Sequence, residues 1–196
     1  MIRSELKPKL GPKDCAGCGK PFMPINSMHQ VHFKWSCIQK KLAKDKRAER
    51  ENLKARKEAI KTRNELKSEA QDAFNDYIRE RDKNQPCISC GATNPPMTSG
   101  GQWDAGHFKS RGAYPELAFD EDNCHRQCKS CNGGSGKFAH KERTTSEKYE
   151  ANLIERIGLA RVEALKAPRP LPKLTGDDYR EKRATYRAKL KELLKD

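Results

Sequence analysis

A chain of 196 residues has room for one modest domain or two small ones. With 34% apolar and 35% charged residues it is poor material for a large core, so metal links between side chains would have to offset that deficit. No stretch approaches the ~18 apolar residues of a membrane-spanning helix, and residues 1–5 lead into no apolar run of a signal peptide.

The net charge of +14 is unevenly spread. Residues 1–86 carry a net +9, residues 87–131 a net −1, and residues 132–196 a net +6. Basic arms therefore flank a locally neutral centre. Arms of that sign suit phosphate backbones, where each neutralised phosphate releases counterions. A solvated surface is the plainer reading of the same charge. The expected location is the cytoplasm, where a set of eight cysteines points to metal ligation rather than to a disulfide framework.

In chain order, residues 1–37 read as an N-terminal zinc knuckle. Cys15 and Cys18 form a Cys-x2-Cys pair on a glycine-containing turn, and Cys37 is the third ligand. The fourth should be a histidine; His32, five residues before Cys37, has the more usual spacing and is preferred to His29. Residues 38–84 predict a basic helical arm, one long helix or two in tandem, because no Gly or Pro interrupts a run of strong helix formers. Its apolar positions are sparse until Ala70, Phe74, Tyr77, Ile78 and Arg81. These form an amphipathic face expected to pack onto the centre.

Residues 85–145 form that centre. Cys87 and Cys90 open it, Cys128 and Cys131 close it, and 37 residues lie between the pairs. Four soft sulfur ligands suit a tetrahedral structural zinc. Turns are expected at residues 94–96 and 99–101, a strand or hairpin at 102–108, and a helix beginning within 128–132. Inside the loop sit Asp104, His107 and, after 15 intervening residues, Asn123; Asn132 follows the last cysteine.

A histidine can activate water because its pKa lies near neutrality, and an amide or carboxylate oxygen suits a hard divalent ion. Phosphodiester hydrolysis needs both functions. His125 reads as an exposed turn residue and Cys124 as a small core residue. Lys109, Arg111 and Arg126 are candidate phosphate contacts.

Residues 146–196 predict a helix over 146–166, a stiff extended linker through Pro168, Pro170 and Pro172, and a last helix from about Asp177 to Leu194. Thr175 and Asp178 fit a capping box at its start. Tyr179, Tyr186, Leu190, Leu193 and Leu194 make one stripe, which would either pack within the chain or pair two chains in a homodimer. The expected fold class is α+β, mostly helical, with a small zinc-bound ββα centre.

The run His107…Asn123-x4-Cys128-x2-Cys131-Asn132 resembles the HNH (ββα-metal) endonucleases in the variant ending in asparagine. The segments around Cys87-Ile88-Ser89-Cys90-Gly91, Trp103-Asp104-Ala105-Gly106-His107, Ser110-Arg111-Gly112-Ala113 and Asn123-Cys124-His125 are similar to the bacteriophage NinG (Rap) recombination proteins. That resemblance spans most of the chain. It implies a phage-encoded protein of the host cytoplasm that acts on branched DNA such as Holliday junctions and D-loops, beside phage or host recombination proteins. It also implies His107 as general base, Asn123 in a structural role, Asn132 as ligand to a catalytic Mg²⁺ or Mn²⁺, and two structural zinc ions. Many HNH enzymes carry a metal ligand immediately before the base. Here that residue is Gly106, and Asp104 is the nearest substitute, pointing to the same side of an extended strand. The alternative reading is a non-catalytic zinc DNA-binding protein that recognises or remodels recombination intermediates. A third is an adaptor whose terminal helices bind other proteins.

Overall fold

The computed structural model describes residues 10–98, 100–133 and 139–195, with side chains in the last stretch from residue 145. The chain start at residues 1–5 and the serine of the expected turn at 99–101 lie outside them. About half of the described residues are helical, with two small sheets, and none of the helices is long and apolar enough to cross a membrane. The chain divides into two compact units, Met1–Lys61 and Thr62–Asp196.

In the first unit, a two-residue ribbon, β1 (Lys13–Asp14) paired with β2 (Pro21–Phe22), precedes helix α1 (Trp35–Ala59). Helix α1 buries only Cys37 of its 25 residues. Its stability therefore rests on intrinsic propensity and on i,i+4 ion pairs such as Lys41–Asp45 and Arg47–Glu51.

The second unit opens with α2 (Arg63–Arg81). The 38–84 stretch is thus two helices, separated without Gly or Pro. What restarts the helix is a capping box. The Thr62 hydroxyl accepts from the Glu65 backbone N–H at 3.3 Å, and the Glu65 carboxylate accepts from the Thr62 N–H at 2.7 Å. The predicted face of α2 is buried, with Phe74 and Ile78 fully enclosed.

Next come β3 (Trp103–His107) and β4 (Cys124–Cys128), an antiparallel pair in which His107 lies opposite Cys124 and Asp104 opposite Gln127. A short helix, α3 (Lys129–Asn132), follows β4 directly. Phe74, Tyr77 and Ile78 of α2 pack with Cys124 of β4, with Ala105 of β3, and with Tyr186 on the last helix.

The helix expected over 146–166 is in fact two. Helix α4 (Ala139–Ile157) stops at Gly158, whose φ of +87° suits a residue without a side chain, and α5 (Leu159–Lys166) then turns back onto it. Tyr149 and Leu153 thereby meet Val162 and Leu165 over Ile88 and Leu117. After the proline-rich linker, α6 (Gly176–Leu193) starts at a second capping box, Thr175 with Asp178. Its stripe packs within the chain against α2: Tyr179 and Tyr186 are buried and Leu190 and Leu193 join the core, but Leu194 is 64% exposed and lies off the stripe.

Candidate functional site

Two Cys/His clusters could hold zinc. Cys15, Cys18, His32 and Cys37 form one; Cys87, Cys90, Cys128 and Cys131 form the other. Within each, the ligand atoms lie within 4.8 Å of one another. Zinc–sulfur bonds of about 2.3 Å put the corners of a tetrahedron roughly 3.8 Å apart, and Cys90 Sγ stands 3.7 Å from Cys128 Sγ. In the first cluster His32 Nδ1 is 3.4 Å from Cys18 Sγ and 3.9 Å from Cys37 Sγ. His29 is outside the cluster, its Nδ1 accepting from the Ile25 N–H. None of the eight thiols is in a disulfide.

A buried polar hub seats the hairpin beside the second cluster. Asp82, just past α2, is 5% exposed. It accepts from the Arg81 guanidinium and from the Arg126 backbone N–H, with His125 at 3.3 Å and Arg156 at 3.9 Å. Burial raises its pKa, but the hydrogen bond and charge of Arg81 and the hydrogen bond of the Arg126 backbone N–H outweigh burial and hold the carboxyl far below the usual range. His125, expected to be exposed, is instead 4% exposed. Its Nε2 faces the Asp122 carbonyl and its Nδ1 the Arg81 guanidinium, and burial pushes its pKa down. A histidine whose neighbours are supplied by α2 and β4 is not readable as buried from a turn-like local sequence.

The cleft formed by α2, β3, β4, α3 and α4 has a volume of about 670 Å³. His107, at the end of β3, lines it. Its Nε2 lies 3.2 Å from the Ala118 carbonyl, which requires the proton on Nε2 and leaves the lone pair on Nδ1, with the Cys124 thiol 3.6 Å away. Burial, reinforced by the nearby charge of Arg111, lowers the His107 pKa to about 4, so the ring is neutral at physiological pH. Cys124 is fully buried, as expected of a core residue, and burial raises its thiol pKa.

Asn123 is also fully buried and does not reach the cleft as a reactant would. Its amide oxygen accepts from the Lys109 N–H at 2.8 Å, and its NH₂ donates to the Lys109 and Leu117 carbonyls. It thus pins the loop that follows His107 to the turn that supplies Ala118.

Asn132, at the end of α3, lines the cleft and donates its NH₂ to Asp104 Oδ2 at 2.9 Å. The other oxygen of Asp104 takes Lys129 Nζ at 2.5 Å, so this carboxylate is occupied on both sides. Among the described residues no carboxylate lines the cleft. Its fit to a hard divalent ion therefore rests on amide oxygens, which are acceptable but uncharged ligands.

Of the three basic candidates, Arg111 lines the cleft. Lys109 Nζ rests over the rings of Phe108 and Tyr114, at 4.9 and 5.5 Å. The Arg126 guanidinium lies 3.6 Å above Trp103 and donates to the Asp82 and Lys83 carbonyls. Arg126 thus fastens β4 to the end of α2, an engagement that competes with contact to a phosphate.

Sequence reasoning missed Lys67 and Gln71 of α2 and Gln127 of β4, all of which line the cleft. Gln71 is 4% exposed; its NH₂ donates to Asn75 and to the Ala118 carbonyl that His107 also faces, and its Oε1 has no partner among the described residues. The helical spacing of Lys67 and Gln71, one turn apart, was the available signal. What it faced depended on the tertiary packing.

The chain matches the family model described as "Bacteriophage Lambda NinG protein" over residues 7–196. It is 42% identical over 143 residues to protein ninG of Salmonella phage P22, an alignment covering 73% of this chain and 64% of that protein. It is 41% identical over 144 residues to protein ninG of Escherichia phage 933W, covering 74% of this chain and 66% of that protein. Protein ninG of Escherichia phage lambda is 40% identical over 143 residues, with 73% and 64% covered. The chain thus spans slightly less than two thirds of the length of these relatives. No solved structure matches it significantly. By the near-complete family match and these identities, the chain belongs to the NinG family.

Proposed function

We propose that this protein is a divalent-metal-dependent, structure-selective DNA endonuclease of phage recombination, acting on branched DNA such as Holliday junctions and D-loops in the host cytoplasm. The observation that carries this reading is the cleft, in which a neutral His107, an aimed Asn132 and the cations Lys67 and Arg111 converge next to the four-cysteine cluster. The order of hairpin then short helix, with histidine ending β3 and asparagine ending α3, is the order expected of an HNH-like ββα centre.

Each group has a role in hydrolysis. His107 would take a proton from the water whose oxygen attacks phosphorus as the bond to the leaving oxygen breaks; its Nδ1 must first exchange the Cys124 thiol for that water, while the Ala118 carbonyl steadies the imidazolium that results. Lys67 and Arg111 balance the charge of the phosphate. Asn132 would help to hold Mg²⁺ or Mn²⁺, which when bound supplies positive charge to the phosphate and leaving oxygen. The two Cys/His clusters would hold structural zinc, and the basic helix α1 would follow the DNA backbone.

The test is cleavage of a labelled four-way junction and of a linear duplex, with and without Mg²⁺ or Mn²⁺. Metal-dependent cutting of the junction is expected. His107→Ala should lower the rate by about 10²–10⁴-fold while zinc content and junction binding persist. One observation favours a second reading, a zinc protein that binds and remodels junctions without cutting: the cleft has no carboxylate among its described residues. Junction binding without cleavage under either ion would establish it.

A further inference from the structure

The position just before His107 is closed to any side chain. A Cβ built on Gly106 would fall 2.1 Å from the Oε1 and 2.8 Å from the Cβ of Gln127. The space that a side chain at 106 would enter is thus filled from the neighbouring strand, and what fills it is an amide oxygen. Gln127 is 5% exposed, and its orientation is fixed. Its NH₂ donates to the buried Ser89 hydroxyl at 2.6 Å, so the oxygen must point the other way. That oxygen meets no hydrogen-bond donor among the described residues, yet it is not sealed off, and Gln127 lines the cleft.

Asn132 is built alike. Its NH₂ is held by Asp104, which leaves the amide oxygen as its free acceptor. Two amides, each held by its nitrogen end on a fixed partner, therefore present oxygens to one cleft. Asp104 cannot serve equally well, because Lys129 Nζ already neutralises it.

We infer that Gln127 supplies the cleft oxygen that Gly106 cannot, acting with Asn132 as a ligand for a divalent cation, and that Asp104 positions Asn132 instead of binding the ion. The inference rests on the nuclease reading above. Uncharged oxygens hold a divalent ion weakly by themselves, so the phosphate of bound DNA would complete the site.

The test is Mn²⁺ binding, read from the loss of the free-ion electron paramagnetic resonance signal. It is measured on the zinc-loaded full chain, free and bound to a junction oligonucleotide, in a His107→Ala background that keeps the DNA intact. Gln127→Met keeps the length of the side chain and removes the oxygen; it should weaken Mn²⁺ binding by about tenfold or more. Gln127→Glu adds charge at the same place and should tighten it. Ser89→Ala removes the hydrogen bond but leaves the oxygen, and should weaken binding far less than Gln127→Met. Asp104→Ala should weaken it modestly, by freeing Asn132.

Unchanged binding in Gln127→Met overturns the assignment, as does equal weakening by Ser89→Ala, which would make the residue a packing element. If Gln127→Met loses its zinc or its fold, Gln127→Glu decides: tighter binding supports the ligand and unaltered or weaker binding overturns it. The two levels of failure are distinguishable. A chain with otherwise native residues that neither takes up Mn²⁺ nor cuts junctions removes the nuclease reading as well. One that does both, with Gln127→Met indistinguishable from it, removes only the role of Gln127.

Discussion

The two metal clusters offer the same ligand chemistry in contrasting company. Among the described residues of Met1–Lys61 the buried side chains are Cys15, Pro24 and Cys37, while Met23, Ile25, Met28, Phe33 and Trp35 are all at least 66% exposed. Among those residues the cluster is nearly the whole core. In Thr62–Asp196 the second cluster sits against apolar groups built on Phe74 and Ile78 and on Leu153 and Val162, and beside the Asp82 hub. There the metal would clamp a hairpin that other forces already place. One ligand pattern can thus be a substitute for a core or an accessory to one, and the surrounding apolar sequence decides which.

The largest expected effect comes from removing a ligand. Zinc binding contributes about 10–16 kcal/mol in small metal-dependent modules, where it amounts to the folding energy. Cys18→Ser should therefore abolish protection of backbone amides over residues 13–37 and leave the melting of the second unit unchanged. Cys128→Ser should lose one zinc of two and loosen β3 and β4, while α2 and α6 remain paired. Elemental analysis with region-resolved hydrogen exchange checks both. If Cys128→Ser retains two zinc ions, the four-cysteine assignment fails; if Cys18→Ser leaves residues 13–37 protected, the contrast between the units fails.

The next effect belongs to the second unit alone. Asp82→Ala would leave Arg81, Arg156, His125 and the Arg126 N–H around an empty place, and breaking a buried charge pair costs about 3–5 kcal/mol. Thermal unfolding should show the second unit destabilised by that order and the first unaffected. An Asp82→Ala chain as stable as the parent would mean that the apolar clusters suffice.

The same hub sets a pH dependence with a definite sign. The folded pKa of Asp82 is depressed, so its contribution is present above the ordinary carboxylate range and fades as pH falls toward the folded value. The pKa of His125 is also depressed, chiefly by burial, so it remains neutral when folded and takes up a proton on unfolding. Its share of the loss begins near pH 6.5, the ordinary histidine value. The groups facing this hub are Arg81 from α2, Arg126 from β4 and Arg156 from α4, all cationic across the range. Stability of the second unit should thus fall from about pH 6.5 downward, and Asp82→Ala should flatten the part of that fall below about pH 4. Equal slopes in parent and variant would remove Asp82 as the cause.

How far the site could be read from the sequence follows from which interactions are local. The Cys-x2-Cys pairs and the His32 spacing carry their own geometry, so both clusters were legible, as were the α2 face and the Thr175–Asp178 cap. Gly158 was legible in principle, but the helical pattern of residues on both sides obscured it. Gln127 was not legible. Its role depends on lying opposite Asp104 and diagonally over Gly106, a register set by the pairing of two strands sixteen residues apart. The burial of His125 and the anchoring of Arg126 were not legible for the same reason, because Asp82 reaches them from more than 40 residues away.

The smallest effect tests the boundary between the units. Thr62 and Thr175 each hold the N–H of the third helical residue and are themselves held by Glu65 and Asp178. Replacing a capping threonine by alanine costs about 1 kcal/mol. Thr175→Ala should lower the stability of the second unit by that amount, because α6 has no alternative start: the residues before it form an extended linker. Thr62→Ala should cost the same if the cap alone separates α1 from α2. The segment at residues 60–62 contains neither Gly nor Pro, however, and alanine is the best helix former, so the variant could recover part of the loss by extending the helix through the break. Hydrogen exchange at residues 60–65 separates these outcomes. Faster exchange with a full 1 kcal/mol loss means that the capping box fixes the boundary; slower exchange with little loss means that residues 60–62 can join the two helices once the threonine is gone.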